Sequence, residues 1–167
     1  MAELAARSCF LDFAADLNSG ISLRADVVDT LLASDVLEHI YKPHILLAEM
    51  FRVLRSGGVA LINMPFLYWV HEAPYDFYRY TRFAVECMAK DVGFQIEELH
   101  SIGSGSTVLI EVVGKRLQRI PLVGGVTARL LQNGWLSCEK RLMETDSFPL
   151  FVTAVLRRSR HSVNRTD

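Results

Sequence analysis

Apolar residues recur along this chain in alternating short runs and helical stripes, and that alternation sets the expected fold. Cys9-Phe10-Leu11-Asp12-Phe13-Ala14 reads as a short strand, followed by turn residues Asn18-Ser19-Gly20. Val27 to Ala33 is a second strand, rich enough in Val and Leu to be buried on both faces. Pro43 then opens a helix whose inner stripe is Leu46, Leu47, Met50, Phe51, Val53 and Leu54, with Glu49, Arg52 and Arg55 opposite. Gly57-Gly58 is expected to end that helix through a positive φ. Val59 to Met64 is the next strand, stopped by Pro65.

An aromatic loop runs from Phe66 to Tyr80. Thr81 then fits an N-cap, Val85, Met88, Ala89 and Val92 form an inner stripe, and Gly93 terminates the helix. Phe94 to Ile102 is a strand with imperfect alternation, which suits a place near an edge. Two helical patterns, Thr107 to Ile120 and Val126 to Met143, precede a closing strand from Phe148 to Leu156. Strands alternating with helices predict one α/β domain, with a mainly parallel sheet and helices on both faces. The domain is expected over 1–157, with a helical insertion at 105–143 and a polar tail at 158–167.

Composition narrows the class. The chain has 167 residues, half of them hydrophobic and 22% charged, as in one globular domain with a sizeable core. A formal net charge of −1 gives no general attraction to nucleic acid or anionic membrane. The longest uncharged stretch, Gly57 to Val70, is shorter than a membrane span and contains Pro65. Cys9, Cys87 and Cys138 lack disulfide or zinc-knuckle spacing, and no signal peptide is evident, so a reducing, cytoplasmic setting is expected.

Asp29-Thr-Leu-Leu-Ala-Ser-Asp-Val-Leu-Glu-His-Ile40 resembles the fourth-strand segment of Rossmann-like, S-adenosylmethionine-dependent methyltransferases of the type 11 kind. Glu-x-x-Arg-Val-Leu-Arg-x-Gly-Gly, here Glu49 to Gly58, follows at the usual distance. Pro65 and Gly93-Phe94 also fit. The run from His71 through Asp76 to Arg79-Tyr80-Thr81 is similar to the loop after the fifth strand in one subgroup. This chain departs from the family at its start. The Gly-rich turn that approaches the cofactor and the acidic residue that takes the ribose hydroxyls have no counterpart before Phe10. The expected fold is therefore a truncated Rossmann-like methyltransferase sheet. Strands beginning at Val27, Val59, Phe94 and Phe148 should form it, with the last antiparallel and between the two before it. Phe10–Ala14, normally at the far edge, must pair anew or lie loose.

The resemblance implies S-adenosylmethionine as cofactor and a small molecule as methyl acceptor. Asp16 matches the acidic residue that contacts the adenine amino group, and Leu17 would lie beside the ring; the competing reading of Asp16 is a turn cap. Ser34 and Asp35 stand at the carboxyl end of the central strand, where open α/β sheets bind ligands. Glu38 and His39 are expected to fix the following turn. In the loop, Tyr68, Asp76, Tyr78, Arg79 and Tyr80 would wall the acceptor pocket, although Asp76 and Arg79 also suit a simple ion pair. His71 is the candidate general base, since histidine ordinarily titrates near neutrality. A metal-dependent hydrolase could be drawn from Asp35, Glu38, His39, His44, His71 and Asp76, but no His-x3-His or His-Glu-x-x-His spacing supports it; it ranks third, and no metal is expected. Leu109, Val112, Val113, Leu117, Leu130, Leu131 and Trp135 of the insertion suit a hairpin over the sheet edge, an acceptor-pocket wall or a homodimer face. The alternative to an enzyme is a non-catalytic remnant or interaction module with poor cofactor affinity.

Overall fold

The computed structural model describes residues 15–103, 109, 112–116, 130 and 149–159. The expected strand at Cys9–Ala14 and most of the two helical patterns lie outside these residues, as do the start of the closing strand and nearly all of the tail.

Strand β1 spans Val28–Ser34 and ends in a 3-10 turn, Leu37–His39. Helix α1 spans Pro43–Val53, with Pro43 in its first turn, where its missing N–H costs nothing. Strand β2 spans Leu54–Pro65. Helix α2 covers Arg82–Val92: the Thr81 hydroxyl accepts the Ala84 N–H at 3.2 Å, and Gly93 closes the helix at φ 100°. Strand β3 spans Phe94–Ile102 and β4 spans Phe151–Arg158.

The sheet order is β1-β2-β4-β3. Strands β1 and β2 pair in parallel, and β4 runs antiparallel to both neighbours. The last strand thus lies between the two before it, as expected. β3 is an edge strand, and its imperfect alternation has a cause: the register shifts between Ile96 and Glu98. That bulge changes the phase, so Leu99 follows Phe94 and Ile96 into the core-facing set while Glu97 and Glu98 stay exposed.

Two expectations are corrected. Gly57-Gly58 does not end α1; the helix stops at Val53, and Leu54 is already extended and paired with Val28. Leu54 is fully buried, and the Arg158 guanidinium takes the Leu54 carbonyl that the helix would otherwise use. The glycines instead form an irregularity inside β2, where the register jumps from Val28–Leu54 to Thr30–Val59. Gly57 has φ 82°, and a Cβ on Gly58 would stand 2.9 Å from the Arg55 carbonyl oxygen. The second correction concerns β1, which is buried on one face only among the described residues. Ala33 belongs to the core and Leu31 packs against it, whereas Leu32 is 74% exposed.

The core fills the space between that covered face and the helices. Leu46, Leu47 and Met50 of α1 and Val85 and Ala89 of α2 meet Ala60, Ile62 and Met64 of β2 and Val152, Ala154 and Leu156 of β4. Burying each of these larger side chains stabilises the fold by about 1.5–3 kcal/mol before entropy is counted.

Candidate active site

Parallel pairing puts the carboxyl ends of β1 and β2 side by side, with Ser34 opposite Asn63. The antiparallel β4 brings its first residues to the same end, Phe151 opposite Pro65 and Thr153 opposite Asn63. Asp35 leaves β1 at φ 55°, a left-handed conformation that an Asp tolerates better than most residues. Its N–H still bonds the Asn63 carbonyl at 3.0 Å, and its carboxylate accepts from the Ser34 hydroxyl at 2.8 Å and the Asn63 amide at 3.3 Å. The Thr153 hydroxyl donates to Asn63 Oδ1 at 2.9 Å. A continuous polar row therefore crosses the ends of β1, β2 and β4.

Above that row stands the loop from Phe66 to Tyr80. It leaves and returns at one point, since the Tyr80 N–H donates to the Pro65 carbonyl at 3.0 Å. Tyr80 is buried, its hydroxyl donates to the Leu37 carbonyl at 2.9 Å, and burial pushes its phenol well above the ordinary value. Arg79 is the clamp inside the loop. It donates twice to Asp76, at 2.6 and 2.7 Å, and to the carbonyls of Tyr68 at 3.0 Å and Trp69 at 2.7 Å. The Arg79 guanidinium beside Asp76 holds that carboxyl well below the usual carboxylate range. The Asp76 carboxylate also accepts the His71 N–H at 2.9 Å.

A cleft of about 250 Å³ opens between the strand ends and this loop, lined by Asp35, Glu38, His39, Pro65, Tyr68, His71, Glu72 and Phe151. Two histidines face each other across it, their ring centroids 4.8 Å apart and nearly perpendicular. Between them lies Glu38, whose carboxylate is fully buried with neither oxygen hydrogen-bonded. Burial pushes its carboxyl above the ordinary value. A second cleft, of about 480 Å³, lies between Trp69 and Val70 of the loop and Val112, Lys115 and Arg116.

The structure sorts the residues singled out from sequence. Asp35, Tyr68 and His71 meet in the cleft, and Ser34 supports it through Asp35. Asp76, Arg79, Tyr80 and Tyr78, whose hydroxyl donates to the Tyr41 carbonyl at 3.0 Å, hold the loop instead of lining it. Asp16 caps its own turn, its carboxylate accepting from the Asn18 N–H at 3.1 Å and the Ser19 hydroxyl at 3.2 Å. Leu17 packs against the core. From sequence, Glu38 and His39 are expected mainly to fix the turn, with a catalytic or metal-binding role ranked lower, and Asn63, Thr153 and Phe151 are not singled out. The signal for Glu38 was its place directly after Leu37, where a carboxylate follows the apolar strand into the core.

Comparison with known proteins agrees with this geometry. A family model described as a methyltransferase domain matches residues 2–62. The [4+2]-cyclase SpnF is similar in fold with a TM-score of 0.59 at 14% identity, over 95% of this chain and 61% of its own. An S-adenosylmethionine-dependent methyltransferase from Mesorhizobium loti has a TM-score of 0.55 at 16% identity, over 93% of this chain and 75% of its own. The fold is that of a Rossmann-like methyltransferase. A phosphoethanolamine N-methyltransferase from Haemonchus contortus, solved with S-adenosylhomocysteine, has a TM-score of 0.51 at 17% identity, over 83% of this chain and 35% of its own. The chain thus spans less than two thirds of the length of SpnF and of the Haemonchus enzyme. No curated protein matches it. Among the described residues, no helix is long and apolar enough to cross a membrane.

Proposed function

We propose that this protein transfers a methyl group from S-adenosylmethionine to a small-molecule acceptor in the cleft between the ends of β1 and β2. The observation that carries this reading is the common opening of those two ends, with Asp35, Pro65, Tyr68 and His71 on one cavity. Ligands of open α/β sheets bind outside the carboxyl ends of parallel strands. The solved relative that holds S-adenosylhomocysteine supports the choice of cofactor.

Methyl transfer needs alignment more than covalent help. The sulfonium already activates its methyl group, so the protein must hold nucleophile, methyl carbon and sulfur in line at roughly 3–3.5 Å. Ser34 and Asp35 take the cofactor, and Tyr68 with the loop takes the acceptor. Where the acceptor must lose a proton, His71 accepts it on Nε2. Its Nδ1 is engaged by the Trp69 carbonyl at 3.2 Å, which fixes the tautomer. The loop held by Asp76, Arg79, Tyr78 and Tyr80 excludes water. The exposed apolar residues of the insertion, Leu109, Val112, Val113 and Leu130, offer a homodimer face, and the absence of paired cysteine spacing suits a cytoplasmic setting.

One observation favours a second reading, a module with weak cofactor affinity: the Asp16 carboxylate is already satisfied within its own turn. Calorimetric titration with S-adenosylmethionine decides between them. Saturable heat with a raised melting temperature is expected. No heat and no thermal shift at millimolar ligand contradicts the transferase reading of this chain.

A further inference from the structure

We propose that Glu38, His39 and His71 form a binding site for one divalent transition-metal ion, with zinc the natural choice, at the floor of the cleft. Their donor atoms all lie within 4.8 Å of one another. His39 Nε2 stands 3.8 Å from Glu38 Oε1, and His71 Nε2 stands 3.9 Å from the same oxygen. These separations are too long for hydrogen bonds. They are near the roughly 3.4 Å that separates two ligands of a tetrahedral ion with bonds of about 2.0–2.1 Å. Seating an ion needs the two Glu38–histidine pairs to close by about half an ångström and the two histidines, whose donors lie within 4.8 Å, to close by up to about 1.4 Å.

The tautomers point the same way. His39 Nδ1 meets the Tyr75 carbonyl at 2.7 Å, and His71 Nδ1 meets the Trp69 carbonyl at 3.2 Å. A carbonyl only accepts, so each Nδ1 carries a proton and each Nε2 is turned toward Glu38, where the neutral imidazole offers a lone pair. This is the outer-shell arrangement that orients metal-bound imidazoles. The Asp76 carboxylate, 3.4 Å from His71 Nδ1, adds to it, and Arg79 fixes Asp76 in turn. The third donor is the strongest indication. Glu38 is fully buried, neither of its carboxylate oxygens has a hydrogen-bond partner, and Oε1 stands within 3.9 Å of both Nε2 atoms. A buried carboxylate left this way costs stability unless a cation completes it.

Two imidazoles and one carboxylate suit first-row divalent ions and fit poorly with calcium or magnesium, which prefer oxygen ligands throughout. Three protein ligands would leave a coordination position open, and the cleft they line also carries Asp35 and Tyr68. With an ion bound, His71 Nε2 would hold metal instead of accepting a proton, and the ion would supply Lewis-acid assistance to deprotonation in the cleft.

The test titrates zinc chloride into chelator-stripped full chain and follows heat. One ion per chain is expected. Glu38→Gln should weaken binding at least about tenfold, since even outer-shell losses cost 10–100-fold. His44→Asn, on the exposed side of α1, should leave binding unchanged. Far-UV circular dichroism of each variant checks that it folds. Nitrogen-15 spectra of the unaltered chain read the site without any substitution: two histidines should carry zinc on Nε2 and a proton on Nδ1. No saturable binding would overturn the proposal, leaving a water molecule as the occupant. So would equal affinity in Glu38→Gln, or zinc on any other pair of histidines.

Discussion

Arg79 holds Asp76 by two hydrogen bonds of 2.6 and 2.7 Å, and the same carboxylate fixes the backbone N–H of His71 at 2.9 Å. The pair joins the two ends of the cleft-covering loop. Its Asp member is almost fully buried, so it contributes more than an exposed ion pair would. Asp76→Asn should destabilise the chain by about 2 kcal/mol, the worth of hydrogen bonds to a charged group. Urea unfolding measures this, and an unchanged midpoint would show that the clamp contributes nothing.

The irregularity in β2 makes a sharper prediction. A Cβ on Gly58 would meet the Arg55 carbonyl at 2.9 Å and the Asp29 carbonyl at 3.0 Å, both backbone atoms. Gly58→Ala must therefore push β1 and β2 apart where they begin to pair. A loss of about 1–3 kcal/mol is expected in the same unfolding experiment.

Acid should release the segment before β1. The Glu49 carboxylate accepts from Arg52 and from the Ile21 N–H at 3.1 Å, while Arg52 donates to the carbonyls of Leu23 and Ile21, each at 2.9 Å. The hydrogen bond from Arg52 lowers the Glu49 carboxyl to about 2, against an ordinary 4.5. A carboxyl depressed by folding stabilises fully above its unfolded value, and that contribution fades as pH falls through the folded one. Glu49→Gln should thus be less stable than the unaltered chain at neutral pH, with the gap closing between pH 4.5 and about 2. A gap constant across that window would contradict the assignment.

Glu38 predicts the opposite sign. Its carboxylate is buried without a hydrogen bond, so in chelator-treated protein Glu38→Gln should raise stability, by about 1 kcal/mol. Chemical denaturation in the presence of chelator checks this, and a destabilised variant would mean that Glu38 has a structural partner after all.

The parts of the fold that depend on local chemistry were legible in the sequence. Thr81 and Gly93 bound α2 as their side-chain and backbone properties require, and the Phe94–Ile102 strand has the expected limits. Long-range pairing was not legible. Gly57-Gly58 reads locally as a helix stop, but pairing of Leu54 with Val28 ends the helix earlier and makes the glycines a feature of β2. The exposed face of β1 is likewise invisible in an apolar run such as Thr30-Leu31-Leu32-Ala33. At the site, position along the sequence separated side chains that the fold joins. His71 approaches Glu38 because the loop is tied to the turn after β1, the Phe77 N–H donating to the Glu38 carbonyl at 2.8 Å and the Tyr80 hydroxyl to the Leu37 carbonyl at 2.9 Å. Motif spacing could not reveal that contact.

Amide chemical-shift mapping with S-adenosylhomocysteine tests the central claim most directly, because it reports location as well as binding. The cleft account predicts saturable shifts concentrated at Ser34 to His39 and at Pro65 to Glu72, the two strand ends and the loop above them. Shifts confined to the outer face around Leu32 and Leu61, or none at millimolar ligand, would contradict it.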